Sequence, residues 1–297
     1  MLSDDPCNLC PRECGVNRTD QLGFCKCSSQ IKVARAALHF GEEPCISGIR
    51  GSGTVFFSGC TLRCCYCQNY NIANVGFGKK ISAERLSEIF LELQEKGAHN
   101  INLVTATQYL MQVLRALDIV KLKLNVPVVY NCGGYERVEV IRALKGHIDI
   151  YLPDFKYYSS AFSWNYSKAQ DYFQVAASAV KEMILQTGDL KFSEQGLLQK
   201  GVIIRHLVLP GGRKDSFQIL KWISENLPKD KYLLSLMSQY TPNKKNLEHK
   251  ELNRRITTFE YESVVQEAIR LGLSIGFMQE RSSAKEEYTP LFDLEGI

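Results

Sequence analysis

The chain reads as an α/β protein, a partial (β/α)6-type barrel behind a cysteine-rich N-terminal extension, and three observations predict this. From Gly48 onward, short apolar runs alternate with amphipathic stretches, the pattern of a parallel sheet with crossover helices. About six or seven such repeats fit within 297 residues, an ordinary length for a barrel of this class. Polar or glycine-rich sets follow the strands in turn, and barrels carry their reactive groups at the C-terminal strand ends.

Residues 54–58 are the first expected strand. A helix follows over 83–96, with Leu86, Ile89, Phe90 and Leu93 on one face, Ser82 as cap and Gly97 as stop. Strands are expected at 100–105, 126–130 and 148–152, the last ended by Pro153. Helices are expected over 109–123 and around Val138, Ile141 and Leu144. One long helix is predicted over 166–187, then a strand at 202–209, a helix around Phe217, Leu220 and Ile223, and a strand at 232–237. Thr257 and Glu260 make a capping box for a helix reaching Leu271, and 273–277 is a last strand-like run. The charged stretch 243–255 reads as a solvated loop.

Hydrophobic residues at 45% and charged residues at 23% exclude a disordered or fibrous chain. A net charge of +4 without a Lys/Arg block argues against a nucleic-acid partner. No apolar run approaches a membrane span, and the first residues show no secretory signal. A cytoplasmic location with reduced thiols is the expectation, and clustered cysteines there point to metal rather than disulfides.

Cys60, Cys64 and Cys67 form C-x3-C-x2-C directly after the first strand. Three thiolates can hold three irons of a four-iron four-sulfur cluster and leave the fourth open, where a fully ligated cluster takes four cysteines. An open iron can chelate an amine and a carboxylate, and the methionine end of S-adenosylmethionine supplies that pair. Structural zinc and simple burial are the competing readings, and Cys65 falls outside the spacing. Near the N-terminus, Cys7, Cys10 and Cys14 are followed by Cys25, enough thiolates for a second iron–sulfur cluster, a structural zinc or no metal at all. Residues 1–47 are the extension, and 48–297 the barrel.

With Tyr66 before its last cysteine, the motif resembles the signature of the radical S-adenosylmethionine (radical SAM) superfamily. Asp154-x-Lys156, and Arg205 in Ile204-Arg205-His206-Leu207-Val208-Leu209-Pro210-Gly211, are similar to the pyruvate formate-lyase activating enzymes and their homologues. Cys7-x-Leu9-Cys10-Pro11-Arg12, Gly51-Ser52-Gly53-Thr54 and Asn131-x-Gly133-Gly134-Tyr135 look like that homologous branch. The resemblance implies a radical SAM barrel in which Lys156 and Arg205 contact S-adenosylmethionine. It puts Asp154 beside the cofactor, at a small cation site with Asn131 and the Leu152 carbonyl. It departs from the family in two places. Thr105-Ala106-Thr107 stands where the activating enzymes carry a carboxylate for the cofactor's amino group, which makes Thr105 and Thr107 candidate replacements. Gln239-Tyr240 stands where they carry a tyrosine–histidine pair. The implied activity is reductive cleavage of S-adenosylmethionine to a 5′-deoxyadenosyl radical that takes a hydrogen atom from a substrate. The reductant would be of the flavodoxin or ferredoxin kind. A glycine of a partner glycyl radical enzyme is one substrate; another peptide or a small molecule is the other. A cysteine-rich electron-transfer or metal-binding protein is the alternative from a different class. His206 is expected to point away from Arg205 by strand alternation.

Overall fold

The computed structural model describes residues 1–242, 248–273, 276–278 and 289–297. Its strands are β1 (Lys32–His39), β2 (Ser52–Phe57), β3 (Lys79–Lys80), β4 (Ile101–Val104), β5 (Val128–Cys132), β6 (Ile150–Pro153), β7 (Lys191–Phe192), β8 (Leu198–Leu207), β9 (Leu233–Met237) and β10 (Gly276–Met278). They form one sheet in the order β10-β9-β8-β6-β5-β4-β2-β1-β3, with β7 on β8. Along that path the pairings from β10 to β2 are parallel, whereas β1 lies antiparallel on β2, β3 on β1 and β7 on β8. Among the described residues that path is open, and no pairing joins its ends.

The helices are α1 (Pro44–Ser47), α2 (Ala83–Glu95), α3 (Leu110–Val120), α4 (Val138–Ala143), α5 (Ser160–Ser167), α6 (Tyr172–Thr187), α7 (Arg213–Asn226) and α8 (Thr258–Arg270). Ser82 caps α2 by accepting from the Arg85 amide, and Leu86, Ile89, Phe90 and Leu93 are buried as the periodicity requires. The Thr257–Glu260 capping box is formed at α8. Strands β2, β4, β5, β6, β8 and β9 coincide with expected strands to within a few residues.

The single helix expected over 166–187 is instead two. Lys168 is left-handed at φ 52, and the Arg12 guanidinium binds the carbonyls of Ser167 and Lys168 that would otherwise continue the ladder. Strand β1 was not expected, because its alanines favour a strand poorly. Pairing with β2 supplies what local propensity lacks. Of the 243–255 loop, residues 243–247 lie outside the described residues, and residues 250–253 form a 3-10 turn. Of the last expected strand, 274 and 275 lie outside them, while β10 pairs parallel with β9. No helix among the described residues is long and apolar enough to cross a membrane.

The segment after β1 turns under the sheet. Ile46 of α1 packs with Val129, Ile150, Leu152, Ile203 and Leu233, side chains from four neighbouring parallel strands. Asn100, just before β4, donates to the Ile46 carbonyl at 2.8 Å. Together these contacts hold the loop that carries Glu42 and Glu43 against the sheet.

Candidate active site

Residues at or just past the C-terminal ends of β2, β4, β5, β6, β8 and β9 line one cavity of about 200 Å³, so the sheet curves around it. Cys60, Cys64 and Cys67 stand on its wall with Thr105, Asn131, Asp154, Lys156, Arg205, Gln239 and Tyr240. Burial, and then the neighbouring Cys64, push the Cys60 thiol up to about 11 and raise Cys67 as well, while Lys156 pulls both down. Thiols so desolvated ionise when a metal supplies the positive charge. Cys64 is buried and accepts a 3.0 Å hydrogen bond from the Ser167 hydroxyl. Cys65 is outside the cavity wall, its amide bonded to the Tyr166 carbonyl.

A chain of ion pairs crosses the cavity. Lys156 Nζ donates to Asp154 Oδ2 at 2.6 Å, and Arg205 Nε donates to Asp154 Oδ1 at 2.9 Å. Arg205 also reaches Glu42 Oε2 at 3.1 Å and Asn131 Oδ1 at 2.6 Å. Against the upward pull of burial, Arg205 and Lys156 hold the Asp154 carboxyl below its ordinary value. With side chains only 15% and 17% exposed, Lys156 and Asp154 are no ordinary surface pair. Gly134, at φ 77, is required behind them, since a Cβ there would lie 2.1 Å from the Asp154 carbonyl oxygen.

The two threonines part company. Thr105 lines the cavity at φ 60, a left-handed conformation costly for a β-branched residue. Thr107 is off the cavity wall, its hydroxyl given to Glu136 Oε1 at 2.8 Å within a buried group that includes Tyr130. His206 faces away as alternation requires, bonded to the Phe155 carbonyl and Ser216; burial lowers its pKa to about 4, so it is neutral.

The N-terminal cysteines lie in an extension that packs on the cysteine loop at Gly59 and Thr61. Cys14 and Cys25 sulfurs flank Gly23, 3.3 and 3.4 Å from where its Cβ would stand. Cys7 and Cys10 are buried nearby, both raised by burial, Cys10 to about 12. A hydrogen bond from Cys27 lowers Cys25, against burial and with help from the fully buried Arg18. Gly59 (φ 79) lets this extension dock, since a Cβ would overlap the Cys27 sulfur at 2.0 Å. Arg12 completes the docking by donating to the Thr61 carbonyl at 3.0 Å, beside Cys60. Among the described residues, no three His, Cys, Asp or Glu side chains are drawn together as around a single ion.

Residues 54–184 match the model of the Radical SAM superfamily. Residues 54–184 are a radical SAM superfamily domain. An uncharacterized protein of Methanocaldococcus jannaschii is 32% identical over 279 residues, covering 91% of this chain and 76% of that one. The pyruvate formate-lyase-activating enzyme of Clostridium pasteurianum is 33% identical over 107 residues, 35% of this chain and 44% of that one. Among solved structures, Streptococcus suis SuiB bound to precursor peptide SuiA superposes with a TM-score of 0.50 at 12% identity. That match covers 74% of this chain and less than half, 46%, of SuiB, and shows a shared α/β fold. Membership of the radical SAM superfamily implies a four-iron four-sulfur cluster and S-adenosylmethionine, and three thiols beside a carboxylate-binding pair of cations suit both.

Sequence reasoning missed Glu42, Glu43 and Ser167. An acidic pair before Pro44 was the available signal for the first two, but only the turn beneath the sheet brings them to Arg205. Nothing local marks Ser167, which reaches Cys64 because α5 stops where it does.

Proposed function

We propose that this protein is a radical SAM enzyme that cleaves S-adenosylmethionine reductively and takes a hydrogen atom from a substrate carbon. The observation that carries the reading is the meeting of Cys60, Cys64 and Cys67 with the Lys156–Asp154–Arg205 chain in one cavity at the C-terminal ends of the parallel strands. The cluster and S-adenosylmethionine together supply a 5′-deoxyadenosyl radical. The chain's own residues bind and aim. The three cysteines hold the cluster, and Lys156 and Arg205 receive the cofactor carboxylate. Asp154 and Asn131 keep those cations in place. Glu42, hydrogen-bonded by Asn102 and Asn131, provides near the cavity the carboxylate that Thr105-Ala106-Thr107 lacks. Thr105 contributes its hydroxyl from the wall, and Thr107 supports that turn from behind.

Cys7, Cys10, Cys14 and Cys25 would hold a second metal, an iron–sulfur cluster or zinc, in the 1–47 extension, which Arg12 and Gly59 dock on the cysteine loop. Similarity to a pyruvate formate-lyase-activating enzyme supports a glycine of a partner glycyl radical enzyme as substrate, with another peptide or a small molecule as the second reading. Electrons would come from a flavodoxin or ferredoxin. The test is anaerobic reconstitution followed by S-adenosylmethionine and dithionite. 5′-Deoxyadenosine is expected, and none is expected after Cys64→Ala; its absence with an intact cluster refutes the reading. Iron, sulfide and zinc counts unchanged in a Cys7→Ala, Cys10→Ala, Cys14→Ala variant would refute the second site. Incubation with a candidate glycyl radical enzyme, read by its radical spectrum, tests the partner.

A further inference from the structure

A second cavity, of about 330 Å³, lies against the first, and among the described residues the two linings have no residue in common. One peptide separates them. Gly59 lines the second cavity, and Cys60, the next residue, lines the first. The second cavity therefore backs onto the cysteine loop from outside the space that S-adenosylmethionine and a substrate would fill. Its floor is fixed. Cys27 Sγ donates to the Ser58 carbonyl at 3.3 Å, the Tyr109 hydroxyl donates to the same carbonyl at 3.1 Å, and Gln108 Nε2 donates to the Ser58 and Gly59 carbonyls at 3.0 and 3.2 Å. Cys27 is also hydrogen-bonded to Cys25, so this floor touches both sets of cysteines.

The rim is cationic. Lys26, Lys32 and Lys80 line the cavity against one acid, Asp20. Lys26 and Lys80 are exposed, and Lys32 gives its ammonium to the Gly76 carbonyl. Apolar surface accompanies the charge. Leu22 of the lining is 60% exposed, and Val75 and Phe77, on either side of Gly76 in the chain, are 67% and 40% exposed. Exposed apolar side chains set among charges of one sign suit a protein of the opposite charge better than a small anion.

We propose that this lysine-rimmed cavity is where an acidic electron-carrier protein, of the flavodoxin or ferredoxin kind, docks to reduce the cluster. This rests on the cluster assignment above and adds the side from which the electron enters. The reduced carrier loses one electron and the oxidised cluster gains it, with no bond formed or broken. Entry from behind Gly59 leaves the first cavity free to hold cofactor and substrate at the same time. Electron carriers form small, weak encounters steered by charge, as a few lysines around an apolar patch provide.

The experiment compares reconstituted full-length wild type with Lys26→Glu/Lys80→Glu and with a control of equal charge change, Lys121→Glu/Lys123→Glu. The control lysines are exposed between α3 and the N-terminal end of β5, at the opposite end of the strands. Affinity is measured for oxidised flavodoxin and oxidised ferredoxin at low salt and at about 0.5 M salt, where charges are screened beyond about 4 Å. These measurements need no working cluster, so they stand apart from the cofactor reading. The wild type is expected to bind at least one carrier at low salt and to lose it at high salt. Lys26→Glu/Lys80→Glu should weaken that binding by about tenfold or more, and the control should not. Reduction of the cluster by the reduced carrier should slow by a similar factor, whereas reduction by the small methyl viologen radical cation should be as fast as in the wild type. No binding of either carrier to the wild type overturns the proposal. Equal loss in both double variants overturns it by giving the attraction to net charge, and binding kept in Lys26→Glu/Lys80→Glu overturns it by leaving the surface to another partner.

Discussion

Ser167 donates to Cys64 Sγ at 3.0 Å, and Tyr157, itself hydrogen-bonded to Tyr66 at 2.7 Å, braces the serine hydroxyl at 2.7 Å. All of these side chains are buried. With Cys64 a cluster ligand as proposed, a donor to its thiolate would stabilise the more negative, reduced state, so Ser167→Ala should lower the cluster's reduction potential. A hydrogen bond to a charged group contributes about 1.5–3 kcal/mol. Only the difference between oxidation states counts, and one electron shared over four irons leaves about 1 kcal/mol, or about 40 mV for a one-electron couple. The assay is a redox titration followed by electron paramagnetic resonance, with the iron count as control. Tyr157→Phe, which removes the brace but keeps the ring, should shift the potential in the same direction by less. A potential unchanged or raised in Ser167→Ala, at full iron content, would sink the argument.

Gly59→Ala must overlap Cys27 and hold a non-glycine residue at φ 79. A loss of about 2–4 kcal/mol is expected by denaturant melting. Arg12→Lys keeps the charge but cannot span the carbonyls of Thr61, Ser167 and Lys168. A cost of about 1–3 kcal/mol is expected in the same melt, and an unchanged midpoint would show that the extension docks without it. Glu136 is buried, and burial raises its carboxyl from 4.5 to about 8. Folding therefore takes up a proton between those values, and stability should fall as pH rises through that window, by at most about 1.4 kcal/mol per unit. Glu136→Gln should flatten that slope.

The sequence by itself determined the features whose physics is local. Three cysteines at spacings of four and three residues keep their thiols on one loop. Helix α2 has its cap and apolar face within one short stretch, as α8 has its capping box. Asp154, Lys156 and Arg205 were legible because each sits at a strand end, and parallel strands bring their ends together. Only the tertiary structure could decide the rest. Glu42 and Glu43 reach the cavity because β1, a weak strand by composition, pairs with β2 and sends its loop beneath the sheet. The expected long helix breaks at Lys168 because Arg12, more than 150 residues earlier, takes its carbonyls. Thr107 turns from the cavity toward Glu136, although two positions away Thr105 stays on the wall. Each of these turns on a long-range partner for a backbone carbonyl or a buried charge, and the residues that flank it in the chain carry no record of that partner.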